Sequence, residues 1–283
     1  MAISLFSLKY VDFGHKLCYN NQGFMNALSI RDAYRFPDMQ CGCFFIGRRY
    51  TLKKHNPFLL LSRLEWALWI SSMVTVALCF LLVPQKDVLS LLASLIGVTA
   101  LIFLAKGHIL GQFLIILFAI LYGIISYCFA YYGEMITYVG MSLPMAILSM
   151  ISWLRNTDTS THEVKVSRVT KKGILILVLL TVPVTVIFYF ILRGLGTQNL
   201  IFSTLSVATS FFAASLTFLR SSYYALAYSV NDMILIVLWV LASIQDVSYL
   251  PMVVCFLVFL LNDMYGFLSW QKRKIRQSKE KKD

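Results

Sequence analysis

The chain has 283 residues, of which 59% are hydrophobic and only 13% are charged, and its mean hydropathy is +0.74. These values exclude an ordinary soluble protein and are typical of a polytopic membrane protein. The net charge of +12 does not indicate a nucleic-acid partner, because the basic residues lie beside apolar segments, where they set membrane orientation. The six cysteines have no paired spacing, which predicts free thiols rather than a disulfide framework.

The first 57 residues are polar and mixed, and they show no helical or alternating period that predicts a fold. Their start lacks the basic region and cleavage site of a secretory signal. Cys41-Gly-Cys43 lies in this stretch, but no His or Cys pair follows at zinc-ligand spacing, so a metal site is not favoured. We interpret residues 1–57 as a cytoplasmic tail and expect it to be dispensable. A translation start placed too far upstream would account for it.

Eight segments then approach the ~20 residues that are needed to cross a bilayer. They are predicted at residues 66–83, 88–105, 109–131, 134–154, 173–193, 199–219, 223–244 and 249–270. The connectors are short except for residues 155–172, a polar and basic linker. The membrane domain is therefore expected at residues 58–272, followed by a basic tail at residues 273–283.

Positive charge is divided unequally between the two sides of the predicted bundle. With a cytoplasmic N terminus, 23 of the 25 lysines and arginines fall on the inner side, and only Lys86 and Arg193 fall on the outer side. Because inner loops carry the excess of Lys and Arg, this division supports eight spans with both termini in the cytoplasm. We interpret the basic tail as an anchor for anionic lipids and a topology signal.

Two sets of three spans resemble each other. Aligning Lys106 with Arg220 pairs residues 91–106 with residues 205–220, and each set closes in Trp, at SMISWL and at YGFLSW. Parallel repeats of this kind build some small transporters. The pattern predicts one extra N-terminal helix, a three-helix repeat at residues 88–154, a linker helix at residues 173–193 and a second repeat at residues 199–270.

Enzyme chemistry is disfavoured by what the sequence lacks. It contains no nucleotide-binding P-loop, and Gly194-Leu-Gly196 is too short for a dinucleotide fingerprint. None of the four histidines lies in a span centre or has a neighbour at ligand spacing: His15, His55, His108 and His162. We therefore predict no catalytic residue, no metal and no cofactor.

Polar residues inside the spans are the candidates for a functional site, because a central Asp costs roughly 2.5 to 3.5 kcal/mol in hydrocarbon. One face of the seventh span carries the stripe Tyr224, Tyr228, Asn231 and Leu235, with Asp232 and Trp239 beside it. On the eighth span, one face carries Asn262, Tyr265 and Ser269, with Asp263 and Trp270 adjacent. The fourth span carries Glu134, Tyr138, Met141 and Met145, and Pro144 is expected to disturb its helix.

Each of these residues has an alternative structural role. Buried Asn and Asp can bond to neighbouring helices, and Trp can lie in an interfacial belt. The belt is favoured for Trp153 and Trp270 at span ends, whereas both roles stay open for Trp239 and Glu134. For Asn231 with Asp232 a binding site is favoured, because a second Asn-Asp pair, Asn262 and Asp263, recurs in the last apolar segment.

Three segments resemble the PnuC-type nicotinamide riboside transporters, particularly their Gram-positive branch. They are YYGEMITYVGMSLPMAILSMISW, YYALAYSVNDMILIVLW and LPMVVCFLVFLLNDMYGFLSW, within a resemblance over about residues 58–272. The resemblance implies an all-α, SWEET-like 3+1+3 bundle with an extra N-terminal helix, often trimeric, in the bacterial cell membrane. It implies transport of a vitamin-like nucleoside down its gradient, followed by trapping through a separate cytoplasmic kinase.

The family's central site uses aromatic rings with Asn and Gln side chains. By motif position, Tyr223 and Tyr224 fall where relatives often have Trp, and Asn231, Asn262 and Tyr265 match the polar positions that follow. The predicted substrate-binding residues are Asn231, Asp232, Tyr224, Tyr228, Trp239, Asn262, Tyr265, Tyr138 and Glu134.

The chemistry of nicotinamide riboside agrees with this set, because its pyridinium is a permanent cation that aromatic faces attract by roughly 0.5 to 2 kcal/mol. Asp232 or Glu134 would add Coulombic attraction. The absence of several paired basic residues within the spans argues against a phosphorylated substrate. Two alternatives stay open: a transporter of another vitamin, such as thiamine or riboflavin, and a receptor or scaffold that does not transport.

Overall fold

The computed structural model describes residues 57–82, 88–128, 132–158, 161–197 and 199–280. The tail before residue 57, with its Cys41-Gly-Cys43 sequence, lies outside the described residues, so the expectation that it is dispensable stays a prediction.

Eight helices in these ranges are long and apolar enough to cross a membrane. They are α1 (Arg63–Leu82), α2 (Val88–Ala105), α3 (Ile109–Cys128), α4 (Tyr132–Arg155), α5 (Lys171–Gly194), α6 (Leu200–Phe218), α7 (Tyr224–Gln245) and α8 (Leu250–Lys279). The predicted all-α architecture with eight spans is confirmed. The predicted boundaries lie within three residues of these, except at the end of α8.

Side-chain caps fix the beginnings of two helices. At α1, the backbone N–H of Ser62 donates to Glu65 Oε2 at 2.7 Å, and the N–H of Glu65 donates to Ser62 Oγ at 3.3 Å. This reciprocal pair is a capping box, which supplies partners for N–H groups that the first helical turn leaves free. At α5, Thr170 Oγ1 accepts from the N–H of Gly173 at 3.1 Å, as a helix N-cap does.

Helix α4 is interrupted in its middle by a π-helical turn, Tyr138–Ser142. The N–H of Leu143 bonds to the carbonyl of Tyr138, five residues earlier. Pro144 follows directly and has no N–H to continue an α-helical ladder, and wider turns of this kind relieve the resulting mismatch. The predicted disturbance at Pro144 is therefore present: the preceding turn is widened to a π turn, and the helix continues to Arg155.

The first helix of each three-helix set ends in the same backbone turn. After α2, Gly107 has a positive φ of 65°, and its N–H bonds to the carbonyl of Leu104; after α6, Arg220 has a φ of 56°, and its N–H bonds to the carbonyl of Thr217. Both turns are Schellman motifs, which require a left-handed residue after the helix. Gly107, not Lys106, is thus the structural counterpart of Arg220. The alignment on the two basic residues is one position out of register.

The third helix of each set packs against the first helix of the other set, so that α8 contacts α2 and α4 contacts α6. Trp153 Nε1 on α4 donates to the carbonyl of Thr217 at 3.0 Å, and Trp270 Nε1 on α8 donates to that of Leu104 at 2.9 Å. Both indoles have no exposed surface. The interpretation of Trp153 and Trp270 as interfacial belt residues is wrong, because each ring is buried against the first helix of the other three-helix set.

The serines before these tryptophans make matching contacts. Ser152 Oγ donates to the carbonyl of Phe218 at 2.8 Å, and Ser269 Oγ donates to the carbonyl of Ala105 at 2.9 Å. Each Ser-Trp pair therefore holds the last two carbonyls of the helix end that it faces. We call the end of the bundle at which these pairs lie the linker end, because the linker between α4 and α5 crosses it.

The linker ties the two helix ends together. The N–H of Val164 bonds to the carbonyl of Gly107, and the N–H of Ser167 bonds to the carbonyl of Arg220. The end of α8 holds the linker in turn, since Gln277 accepts from the N–H of Val166 at 2.8 Å. The described linker residues are thus part of the packed body.

Helix α8 continues nine residues beyond Trp270, to Lys279, whereas the sequence predicted that the span ends at 270. Arg273 is buried, its Nη2 bonds to the carbonyl of Ala105, and its Nε pairs with Glu163 at 3.2 Å. Arg276 also contacts Glu163. These contacts extend the helix, so part of the basic segment serves the packing of the linker end.

Candidate functional site

A cavity with a mixed polar and apolar lining lies between the two halves of the bundle, which are the three-helix sets α2–α4 and α6–α8, and it is bounded mainly by α3, α4, α6, α7 and α8. Its volume is about 170 Å³, enough for on the order of ten water molecules, so it is more than a packing defect. Its polar side chains are Gln112, Glu134, Thr137, Tyr138, Ser142, Ser149, Thr197, Ser203, Ser206, Ser210, Thr217, Tyr228, Asn231, Asp232 and Asp263. Its larger apolar rings are Phe118, Phe256, Phe259 and Trp239, with Tyr122 beside them.

The cavity is acidic. Three carboxylic side chains line it, Glu134, Asp232 and Asp263, and no Lys, Arg or His is among the described residues that line it. A low-dielectric cavity of this composition favours a positively charged occupant. It offers no basic side chain to a phosphate, which proteins commonly bind with Arg or Lys.

Asn231 lies on the side of α7 that faces α6 and is 4% exposed. Its Oδ1 accepts from Thr209 Oγ1 and from Ser210 Oγ, each at 2.9 Å. These two hydroxyls fix the orientation of the amide, since they occupy its oxygen. The NH₂ group is then the part of Asn231 that can donate to a molecule in the cavity.

Aromatic rings form a second wall. Tyr122 and Tyr138 lie with their ring centroids 4.4 Å apart, and Phe118 packs against both, at 5.4 Å and 6.0 Å. Trp239 contacts Tyr249 with a centroid distance of 5.7 Å. Rings held in this way can offer a face or an edge to a flat, charged ring at little cost in side-chain entropy.

Six of the nine residues predicted from the sequence line this cavity: Glu134, Tyr138, Tyr228, Asn231, Asp232 and Trp239. The structure brings them together from α4 and α7, which are far apart in the sequence. Their role in substrate binding stays a prediction.

Tyr224 is placed elsewhere. It is buried at the linker end, with its ring centroid 4.8 Å from Trp270 and 6.5 Å from Trp153, in edge-on contacts. The three rings form part of the main hydrophobic core. Tyr224 therefore belongs to the hydrophobic core at the linker end and does not line the cavity.

Asn262 and Tyr265 also lie outside the cavity, because their face of α8 turns toward α1. Asn262 Nδ2 donates to Ser72 Oγ at 3.0 Å, and the hydroxyl of Tyr265 donates to Glu65 Oε1 at 3.0 Å. In the structure these groups hold the extra N-terminal helix and do not line the cavity.

Glu65 is the centre of this attachment. It is 2% exposed, and Lys106 Nζ lies 3.0 Å from its Oε2. We expect Glu65→Leu to lower the free energy of unfolding by on the order of 2 to 3 kcal/mol, because Lys106 and Tyr265 lose a charged partner. Glu65→Gln, which keeps a hydrogen-bonding oxygen, should cost clearly less. Thermal unfolding of the purified variants checks this, and equal losses for both would contradict it.

Many cavity residues were absent from the predicted set, among them the carboxylic side chain of Asp263 and the amide of Gln112. Asp263 is adjacent to Asn262, and at 100° per residue a helix turns these neighbours to different sides. Gln112, near the start of α3, is 2% exposed, and its Nε2 has no hydrogen-bond partner among the described residues. The sequence could have indicated Gln112, because it is the one amide side chain in an otherwise apolar predicted span.

Comparison with known proteins agrees with this architecture. A family model described as nicotinamide mononucleotide transporter matches residues 87–272. A relative from Neisseria mucosa, named nicotinamide riboside transporter PnuC, is 26% identical over 218 residues, which are 75% of this chain and 82% of the relative. A relative of the same name from Haemophilus influenzae is 24% identical over 186 residues, which are 65% of this chain and 79% of the relative.

The crystal structure of the vitamin B3 transporter PnuC has the same fold. It aligns with a TM-score of 0.66 and 24% identity, over 76% of this chain and 94% of that one. The resemblance of the sequence to PnuC-type transporters is confirmed by these matches. The family consists of membrane transporters, not enzymes, and the chain belongs to it, as a member of the nicotinamide mononucleotide transporter family.

Proposed function

We propose that this protein carries nicotinamide riboside into the cell through the cavity between its two halves. The observation that carries the proposal is the acidic and aromatic lining of that cavity, which has three carboxylic side chains and no basic one among the described residues. Both relatives are named as transporters of nicotinamide riboside. Its flat pyridinium ring with a fixed positive charge is the kind of group that such a lining attracts.

The remainder of the substrate is a ribose and a carboxamide, which both donate and accept hydrogen bonds. Asn231, with its oxygen held by α6, offers its NH₂ group to an acceptor. Hydroxyl groups of α6 line the same cavity, among them those of Ser203 and Ser206. Hydroxyls and amides suit a neutral sugar, since they match its groups without adding charge.

The same lining favours the nucleoside over its mononucleotide, although the family model is described by the mononucleotide. A phosphate carries nearly two negative charges, and it would meet Glu134, Asp232 and Asp263 without a compensating cation. We therefore infer that the phosphorylated form is excluded.

The mechanism that follows is alternating access with no energy source in the chain itself. The two Ser-Trp pairs hold the halves together at the linker end, and rocking one half against the other would have to break them. The matching helix ends support a SWEET-like arrangement of parallel repeats. The π turn before Pro144 and the proline inside α5, Pro183, are the candidate bending points.

We place the linker end in the cytoplasm of a bacterial cell, with both termini on that side, because 23 of the 25 basic residues then lie inside. Phosphorylation of the imported nucleoside by a separate cytoplasmic kinase would keep the gradient directed inward. We further propose a homotrimer, as the family resemblance implies.

Competition in proteoliposomes tests the substrate. Uptake of labelled nicotinamide riboside should be blocked by an excess of the unlabelled compound, and neither riboflavin nor the mononucleotide should compete, because neither presents a net cation. Thiamine is the second candidate, since its thiazolium is also a flat cation. Stronger competition by thiamine than by nicotinamide riboside would assign the cavity to thiamine. No uptake of any of these compounds would favour a receptor or scaffold.

A further inference from the structure

The turns that end α2 and α6 give the register between the two halves. Gly107 and Arg220 hold the same left-handed position in these turns, so a residue of the first half matches the residue 113 positions later in the second half. The helices that follow keep this register. At the start of α3 the N–H of Gly111 bonds to the carbonyl three residues earlier, and at the start of α7 the N–H of Tyr224 does the same.

The side chains that α3 and α7 turn toward the cavity follow this register. Four cavity-lining residues of α3 each match a cavity-lining residue of α7, 113 positions later. In chain order they are Ile115, Phe118, Ala119 and Tyr122 on α3, and Tyr228, Asn231, Asp232 and Leu235 on α7. Phe118 is therefore the counterpart of Asn231, so the two halves place a ring and an amide at equivalent positions of one cavity.

The residues behind these two side chains differ in a matching way. Ser210 Oγ on α6 donates to Asn231 Oδ1 at 2.9 Å. The counterpart of Ser210 on α2 is Gly97, which is buried. A Cβ atom at Gly97 would lie 3.2 Å from Cε2 of Phe118 and 2.8 Å from Cζ of Phe259. Gly97 thus leaves room for a ring where the other half has the hydroxyl that holds an amide.

The lining of α2 and α6 extends this contrast. On α2 the lining residues are Leu101 and Leu104. On α6 most of the lining residues carry hydroxyl groups: Ser203, Ser206, Ser210 and Thr217. The wall formed by α2 and α3 is therefore mainly apolar and aromatic, whereas the wall formed by α6 and α7 is rich in hydrogen-bonding groups. A molecule with a flat ring at one end and a sugar at the other fits such a cavity in one orientation.

We propose that Phe118 receives the pyridinium ring of the substrate, and that Gly97 is the positioning residue that seats the Phe118 ring. The inference rests on the proposed function and deepens it. The face of an aromatic ring attracts a flat cation. Neighbouring rings restrain this one, since Tyr122 and Tyr138 pack against it with centroid distances of 5.4 Å and 6.0 Å. The ribose and the carboxamide then point toward Asn231 and the hydroxyl groups of α6.

Uptake kinetics in proteoliposomes test the role of Phe118. Phe118→Leu keeps an apolar side chain but removes the aromatic face, so the KM for nicotinamide riboside should rise about 2- to 30-fold with little change in Vmax per folded molecule. Phe118→Tyr keeps the ring and should have a KM near that of the wild-type protein. The matched control is Phe113→Leu, an exposed phenylalanine on the same helix, which should leave KM unchanged.

Gly97→Ala tests the positioning role. The added methyl group meets the ring of Phe118, so it should displace that ring and raise KM although Gly97 itself has no side chain to bind substrate. Because this effect acts through Phe118, adding Gly97→Ala to Phe118→Leu should raise KM little further, whereas independent effects would multiply. KM does not depend on the amount of folded protein, so partial misfolding of a variant leaves the comparison intact.

An unchanged KM in Phe118→Leu would overturn the inference. An equal rise in Phe118→Leu and Phe118→Tyr would overturn it as well, because the aromatic face would then make no difference. A rise in Gly97→Ala that multiplies with that of Phe118→Leu would remove the positioning role of Gly97. Absence of nicotinamide riboside uptake by the wild-type protein would instead contradict the proposed function itself, so the two failures are distinguishable.

Discussion

Replacing Asn231 with Leu is expected to reduce nicotinamide riboside uptake in proteoliposomes to the background of empty liposomes. Leu has the same branched shape as Asn but cannot donate a hydrogen bond, so a polar group of the bound substrate would lose its partner in a buried site. Such a loss costs roughly 1 to 3 kcal/mol, and the methyl groups would also face the substrate directly. Thr209 still reaches the carbonyls of Leu205 and Ser206, so the fold should survive.

The matched control is the same substitution in the other Asn-Asp pair. Asn262→Leu changes a buried amide that contacts Ser72 and does not line the cavity. It should retain uptake per folded molecule. Size-exclusion chromatography and thermal unfolding should show that Asn231→Leu elutes and melts like the wild-type protein. Near-normal uptake by Asn231→Leu would remove this residue from the site.

Substituting both Trp153 and Trp270 with Phe is expected to open the linker end. Each substitution removes one hydrogen bond between the halves, worth about 1 kcal/mol. Two such losses shift the balance between closed and open states by roughly tenfold or more. The two bonds lie on separate helix ends, but the two rings contact each other with centroids 5.3 Å apart, so the double variant also measures the coupling between them.

The readout is the labelling of a cysteine placed at Ser149, a buried residue that lines the cavity. The six native cysteines would first be replaced, and a membrane-impermeant maleimide would be added from the linker side. Labelling should rise a few-fold in each single variant and most in the double variant. Trp66→Phe, on the partly exposed face of α1, is the control and should change nothing. Equal labelling in all variants would contradict the proposed role of the Ser-Trp pairs.

The helices of this fold were predictable because each is a long apolar segment between polar connectors, and hydrocarbon leaves few alternatives for such segments. The end of α8 was not predictable, because Arg273 and Arg276 contact Glu163, which lies more than a hundred residues earlier in the sequence. The sequence predicted a repeat aligned on the charges of Lys106 and Arg220, whereas the two matching backbone turns lie at Gly107 and Arg220.

The site was only partly predictable for a related reason. Helix α8 is covered by α1, α2 and α7, so polar residues on it can face either a neighbouring helix or the cavity. Asn262 and Asp263 are adjacent in the sequence, and no periodicity decides which of them turns inward. The site residues of α7 were easier to predict, because Asn231 and Asp232 both line the cavity.

A structure of the protein with bound nicotinamide riboside tests the central claim most directly. We predict density for the nucleoside between the two halves, with its pyridinium ring near the carboxylic side chains of the cavity and its polar groups within hydrogen-bonding distance of Asn231. Density at another place on the protein, with this cavity empty, would contradict the account.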